Sequence, residues 1–176
     1  MKNGKDTILL VQPVDVVFGT AALVIANQTE SSYSLETDMK DEQTKFGRIV
    51  GYGNNSESFE FSAYGERKDE GQMAVINAIR NKKQLKVWEV DVQLSDDNKH
   101  DALFAYCIVE SIERSNSQDG YEEVSGTLQV YGTAKEGKID KLPIEVIEFG
   151  QYGFEKPGEY QGEADDRKAA PTGLKQ

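Results

Sequence analysis

A single cysteine and a single histidine are all that 176 residues provide, and each scarcity removes a class of function. Cys107 cannot form an internal disulfide, and its place in an apolar alternating run makes it a small buried hydrophobe. A catalytic triad or a histidine-rich metal site would have to use His100. That residue sits among Asp96, Asp97, Asn98 and Asp101, which populate turns readily, so it reads as a solvated turn residue. The DDNKHD spacing is no calcium loop either: its sixth position is Asp101 where glycine is needed, and its twelfth is Cys107 where glutamate is needed. Basic residues number 20 against 31 acidic ones, for a net charge of -11. That balance excludes long basic patches for gripping nucleic acid. No apolar run approaches the roughly 18 residues of a membrane span. The start, MKNGKDTILLVQPVD, is interrupted by Gln12, Pro13 and Asp15 too soon for a signal peptide, so the product is expected to stay soluble where it is made.

What the chain does have is alternation. Ile8 to Val11 and Leu23 to Ile25 are short apolar runs, and Gln28 to Leu35 is a polar stretch suited to a sheet edge. Phe59, Phe61 and Ala63 alternate with Glu60, Ser62 and Tyr64. In LKVWEVDVQL, Trp88, Val90, Val92 and Leu94 share one face while Glu89, Asp91 and Gln93 share the other. Phe104 to Ile112 reads as a long, largely apolar strand. Val124, Gly126, Leu128 and Val130 alternate with Glu123, Ser125, Thr127 and Gln129, KEGK reads as a hairpin turn, and Ile144 to Phe149 as a last strand. One helix interrupts the series: Asp69 is its cap with Gln72 three residues on, Val75, Ile76 and Ile79 form its apolar stripe, and Arg80, Lys82 and Lys83 oppose its dipole. The expected fold is mainly β, a sandwich or barrel with one flanking helix. Residues 1–152 form a single domain, and 153–176 form a C-terminal arm rich in Gly, Pro and charge.

The segment 37–58 stands out. It reads as a long charged loop with a small apolar island at Phe46, Ile49 and Val50, and its length calls for a function. Signs alternate through Lys40, Asp41, Glu42, Lys45 and Arg48, which suits an arm that docks on a second surface. No nucleophile, base and orienting group cluster anywhere, and Gly51 and Gly53 open no helix, so neither an enzyme nor a bound cofactor is expected.

Several segments taken together, DTILLVQP, ANQTESSYSLE, DEQTKFGRIVGYG, AYGERKDEGQ, KKQLKVWEVD and GTLQVYGTAKEGKIDKLP, resemble in order and spacing the major tail proteins of long non-contractile-tailed bacteriophages. The resemblance covers about residues 4–160. It implies a virion structural protein, made and assembled in the host cytoplasm, whose fold is similar to that of the type VI secretion tube protein. It further implies stacked hexameric rings forming a tail tube for DNA ejection, with the long loop reaching the adjacent ring and terminal arms stitching neighbours. The implied partners are further copies of the chain and the tape measure, tail terminator and distal tail proteins, with no membrane. On this reading Lys40, Asp41, Glu42, Lys45, Phe46, Arg48, Ile49 and Val50 are inter-ring contacts. Glu89, Asp91, Gln93, Glu123, Ser125, Thr127 and Gln129 are candidates for an acidic lumen lining that repels phosphate. Alternation alone leaves open whether those residues face the lumen or an outer solvated surface. A second reading, a monomeric β-sandwich that recognises carbohydrate or protein through the same long loop, predicts no assembly.

Overall fold

Alternating strands joined by polar turns produce one antiparallel sheet. The computed structural model describes residues 4–143 and Val146. After a short 3-10 turn at Gly4–Asp6 come β1 (Thr7–Pro13), β2 (Leu23–Val24), β3 (Gln28–Thr44), β4 (Gly47–Tyr64), α1 (Glu70–Asn81), β5 (Leu85–Leu94), β6 (His100–Ser115), β7 (Glu123–Val130) and β8 (Lys135–Ile139). The sheet runs β2, β1, β5, β6, β7, β4, β3, and β8 also pairs with β6. Since β7 holds the C-terminal half of β6 and β8 its first residues, β7 and β8 act as one strand broken by a bend at 131–134.

The sheet curls until its two ends meet. Gln28 makes that closure with its side chain: Oε1 accepts from the Leu9 amide at 2.9 Å and Nε2 donates to the Leu9 carbonyl at 2.8 Å. The amide thereby reproduces a strand pair between β1 and β3 where β2 has run out, satisfying backbone groups that would otherwise be orphaned.

One face of the sheet and the buried side of α1 enclose the core. Leu9, Val11, Phe59, Phe61, Leu85, Val87, Cys107, Val109, Val124 and Leu128 meet Ala74, Val75 and Ala78 there. The helix starts as expected, with the Asp69 carboxylate accepting from the Gln72 amide at 2.7 Å. The Gln72 side chain does not return to Asp69. It is buried, and it donates to the carbonyls of Tyr64 (2.9 Å) and Ala26 (3.4 Å), tying the helix start to the sheet. Lys82 ends the helix in the left-handed region.

Four expectations are corrected. Residues 37–58 are not a loop: they lie within the two long strands of a hairpin that turns at Lys45 and Phe46. KEGK is strand β8, not a turn. His100 is fully buried at the start of β6, its Nδ1 2.9 Å from the Asp91 carbonyl, because the Leu94–His100 pair closes the β5–β6 hairpin over it. On β5 both phases carry buried residues: Leu85 and Val87 lie in the core cluster, in phase with Glu89, while Val90, in phase with Trp88, is buried on the other side. The strand expected at 144–149, apart from Val146, and the arm 153–176 lie outside the described residues.

Candidate functional site

Three surfaces are left without a partner by this arrangement. The first is the distal hairpin. The last pair between β4 and β7 is Ser58 with Gln129. From there to the tip β3 and β4 pair only with each other, a projection of roughly 35 Å at the usual rise per residue. At the tip the Thr44 hydroxyl donates to the Gly47 carbonyl at 2.8 Å, and Gly47 takes a φ of +131°, a value a side chain would resist. Every residue expected as an inter-ring contact lies here: Lys40, Asp41 and Glu42 on β3, Lys45 and Phe46 in the turn, Arg48, Ile49 and Val50 on β4. Phe46 is fully exposed at 101%. Asp41 and Arg48 form a two-pronged ion pair with a closest approach of 2.6 Å, which lowers the carboxyl pKa.

The base of the hairpin is pinned. One Glu57 carboxylate oxygen accepts from the Tyr33 hydroxyl at 2.8 Å and from the Ala134 amide at 2.9 Å, so the hairpin is fastened to the bend between β7 and β8. Burial, reinforced by the hydrogen bond to Glu57 and by its charge, pushes the Tyr33 hydroxyl up to about 12.

The second surface is the polar face of β3, β4, β7 and β6. Cross-strand pairing builds two polar rows, Glu30, Ser62, Ser125, Glu113 and Ser32, Glu60, Thr127, Ser111. They line a shallow groove of about 300 Å³. Neither row contains a lysine or arginine. Of the expected lining residues, Glu123, Ser125, Thr127 and Gln129 share this face, and Gln129 donates to Glu110 at 2.6 Å. Glu89 and Asp91 do not. They lie on the core side, in a separate groove of about 850 Å³ with Tyr33, Glu57 and Leu103. Gln93 sits apart from both, donating to Asp6 at 2.8 Å. The acidic and hydroxyl residues of β3 and of the end of β6 were missed because β3 was read only as a polar sheet edge and β6 only for its apolar run; the signal on β3 was the Ser and Glu alternation of TESSYSLE.

The third surface is a pair of sheet edges. Along its length β3 has only β4 as a strand partner, and from Ile108 to Ser115 β6 has only β7. The polar face therefore lies between two free edges. Such edges invite pairing with another chain.

Comparison with known proteins decides the family. The model of the phage tail tube protein family matches residues 1–136. The chain belongs to the phage tail tube proteins. It is 44% identical to the tail tube protein of Bacillus phage SPP1 over 171 residues, covering 96% of this chain and 65% of that relative, so it spans just under two thirds of the relative's length. The solved SPP1 tail tube matches with a TM-score of 0.75 and 38% identity, covering 92% of this chain and 95% of that one. The tail of a gene transfer agent particle shares the fold, with a TM-score of 0.61 at 16% identity, over 77% of this chain and 98% of that one. A tail tube protein is a structural component of the virion tail and not an enzyme, and the mostly β architecture of the described residues, with α1 packed on the sheet, agrees with the fold expected. No helix among the described residues is long and apolar enough to cross a membrane.

Proposed function

We propose that copies of this chain join side by side through the free edges of β3 and the C-terminal half of β6, closing hexameric rings that stack into the conduit for DNA ejection. The single observation that carries this reading is the polar face bounded by two unpaired edges. Pairing β3 of one copy with β6 of the next satisfies both edges and extends the polar rows around a closed barrel. The sixfold order follows the family resemblance, and the gene transfer agent tail, which shares the fold, has C6 symmetry.

The polar face then becomes the lumen wall. Glu123, Ser125, Thr127 and Gln129 line it with Glu30, Glu60 and Glu113, and DNA phosphates are held off by repulsion effective over roughly 8 to 10 Å. Glu89 and Asp91, on the other face, have no part in it. The hairpin bearing Lys40, Asp41, Glu42, Lys45, Phe46, Arg48, Ile49 and Val50 makes the inter-ring contact. Assembly takes place in the host cytoplasm, with the tape measure, terminator and distal tail proteins meeting the tube along its bore and at its ends.

Negative-stain microscopy of the purified chain at high concentration tests this directly. Rings or tubes with sixfold projections are expected. A chain that stays monomeric at every concentration, even with a preformed tail tip as nucleus, overturns the reading.

A further inference from the structure

Between β1 and β2 the chain makes a tight turn with two apolar residues at its tip. Val17 is 81% exposed and Phe18 104%. The turn is nevertheless held firmly. The Thr20 amide and hydroxyl both donate to the Val17 carbonyl, at 3.1 and 2.7 Å, and Gly19 takes a φ of +90°, which favours glycine at the third position of a turn. Buried Gln12 donates to the Thr20 carbonyl at 2.7 Å, and Lys83, just past the end of α1, pairs with Asp15. An aromatic side chain fixed in place and left in water adds no burial to its own fold. It is preorganised to bind, because little freedom remains for binding to remove.

The groove of about 850 Å³ is its counterpart. It lies at the root of the distal hairpin, where Leu35, Leu103, Ala134 and the ring of Tyr33 supply an apolar lining. Acidic residues prevail around them, Glu89, Asp91, Asp101 and Glu136 against Lys138. The turn has the opposite charge beside it. Arg80, Lys82 and Lys83 are exposed at the end of α1, and the pairing of Lys83 with Asp15 sets that end against the loop.

The two features sit toward opposite ends of the sheet. Pro13, where the loop departs, pairs with Leu85 at the start of β5, and Leu23, where it returns, pairs with Val11. The groove instead takes Glu89 and Asp91 from the far half of β5, and Asp91 lies roughly 20 Å from Leu85 along the strand. A copy therefore cannot seat its own turn in its own groove. In a tube closed by pairing β3 with β6, the strands run along the bore at a tilt, so each end of the sheet faces an adjoining ring. The groove and the hairpin face one of those rings and the turn faces the other.

We infer that the Val17–Phe18 turn of one copy inserts into the groove at the hairpin root of a copy in the adjoining ring. This rests on the proposed tube and adds a second contact to that of the hairpin, reaching across the same junction from the other side. Phe18 fills the apolar lining, while Arg80 and Lys82 meet Asp101 and Glu136 at the rim. Because the turn and the groove are different surfaces, the contact is head to tail and propagates along the tube without closing.

Microscopy of assembly reactions tests this with Phe18→Asp, a change at a fully exposed position that leaves the fold intact. Separate rings of native diameter are expected where the unmodified chain gives tubes. Tubes of ordinary length overturn the inference, and so does loss of rings together with tubes, which would put Phe18 at the side-by-side contact. Failure of the unmodified chain to form either overturns the tube reading itself. Charge exchange tests the receiving surface separately. Arg80→Glu with Lys82→Glu is expected to raise the concentration needed for tubes about tenfold, and adding Asp101→Lys with Glu136→Lys to bring it back. No rise, or no return, removes the groove as the receiving surface.

Discussion

Gly71 leaves no room for a side chain. A Cβ built there would lie 2.1 Å from the Val24 carbonyl oxygen, which belongs to the backbone and cannot rotate away. Gly71→Ala must therefore push α1 off the sheet. The expected loss is about 2 to 3 kcal/mol, the upper part of the range for overpacking a tight interior, read as a lower midpoint of urea unfolding. Tyr33 makes a prediction of a different kind. Its hydroxyl titrates near 12 in the folded chain against roughly 10 when exposed. The folded state thus keeps a proton that the unfolded state gives up. The stability this contributes is complete below pH 10 and is lost as pH rises from 10 through 12. Denaturation midpoints across that window should fall more steeply for the native chain than for Tyr33→Phe. Equal slopes would mean that the Tyr33 to Glu57 contact does not hold the hydroxyl proton.

At the scale of elements, what was legible in the sequence followed from how much of each segment is buried. The helix, β5, β7 and the sheet-edge character of β3 could be read because a core on one side imposes a period on their residues. The distal hairpin could not. Its strands pack on no core, so mixed charges occupy positions that elsewhere alternate, and the turn at Lys45 and Phe46 carries no Asn-Gly or Asp-Gly signal. Cross-strand contacts such as Asp41 with Arg48 hold it instead, and those become visible only once the register is known. His100 was misread for a related reason: its neighbours are turn formers, and burial came from the β5–β6 closure rather than from local sequence. The candidate site was half legible, since β7 revealed its polar face while Glu89 shared a phase with core residues rather than with that face. The hairpin also makes a clean test of its own role. Removing Lys40 to Asn54 and replacing Met39 by glycine leaves Thr37 opposite Asn55, their native partnership, joined by an Asp-Gly turn suited to a two-residue hairpin. Because the excised residues contribute nothing to the core, the melting temperature should move by only a few degrees while tubes fail to form. Tubes of ordinary length would show that the hairpin is dispensable.

For the whole molecule, the decisive quantity is the sign of charge on the face between the two free edges. Net charge of -11 is spread over the entire chain, and a net charge alone says little about where DNA travels. The polar rows are more specific, because they concentrate Glu30, Glu60 and Glu113 with hydroxyl residues and exclude basic ones. Repeated around every ring of a tube, that face would present a continuous wall to which phosphate cannot bind. Glu60→Lys with Glu113→Lys reverses its character without touching the core, since both side chains are exposed, and such surface changes ordinarily alter stability by about 0.5 kcal/mol or less. Tubes should therefore assemble as before, while DNA leaves triggered particles more slowly. The delay should be largest at low ionic strength and shrink as salt rises, because each lysine–phosphate contact weakens by counterion release. A rate of release identical to that of the native particle at low salt would remove this face from the lumen and, with it, the proposed pairing of β3 with β6.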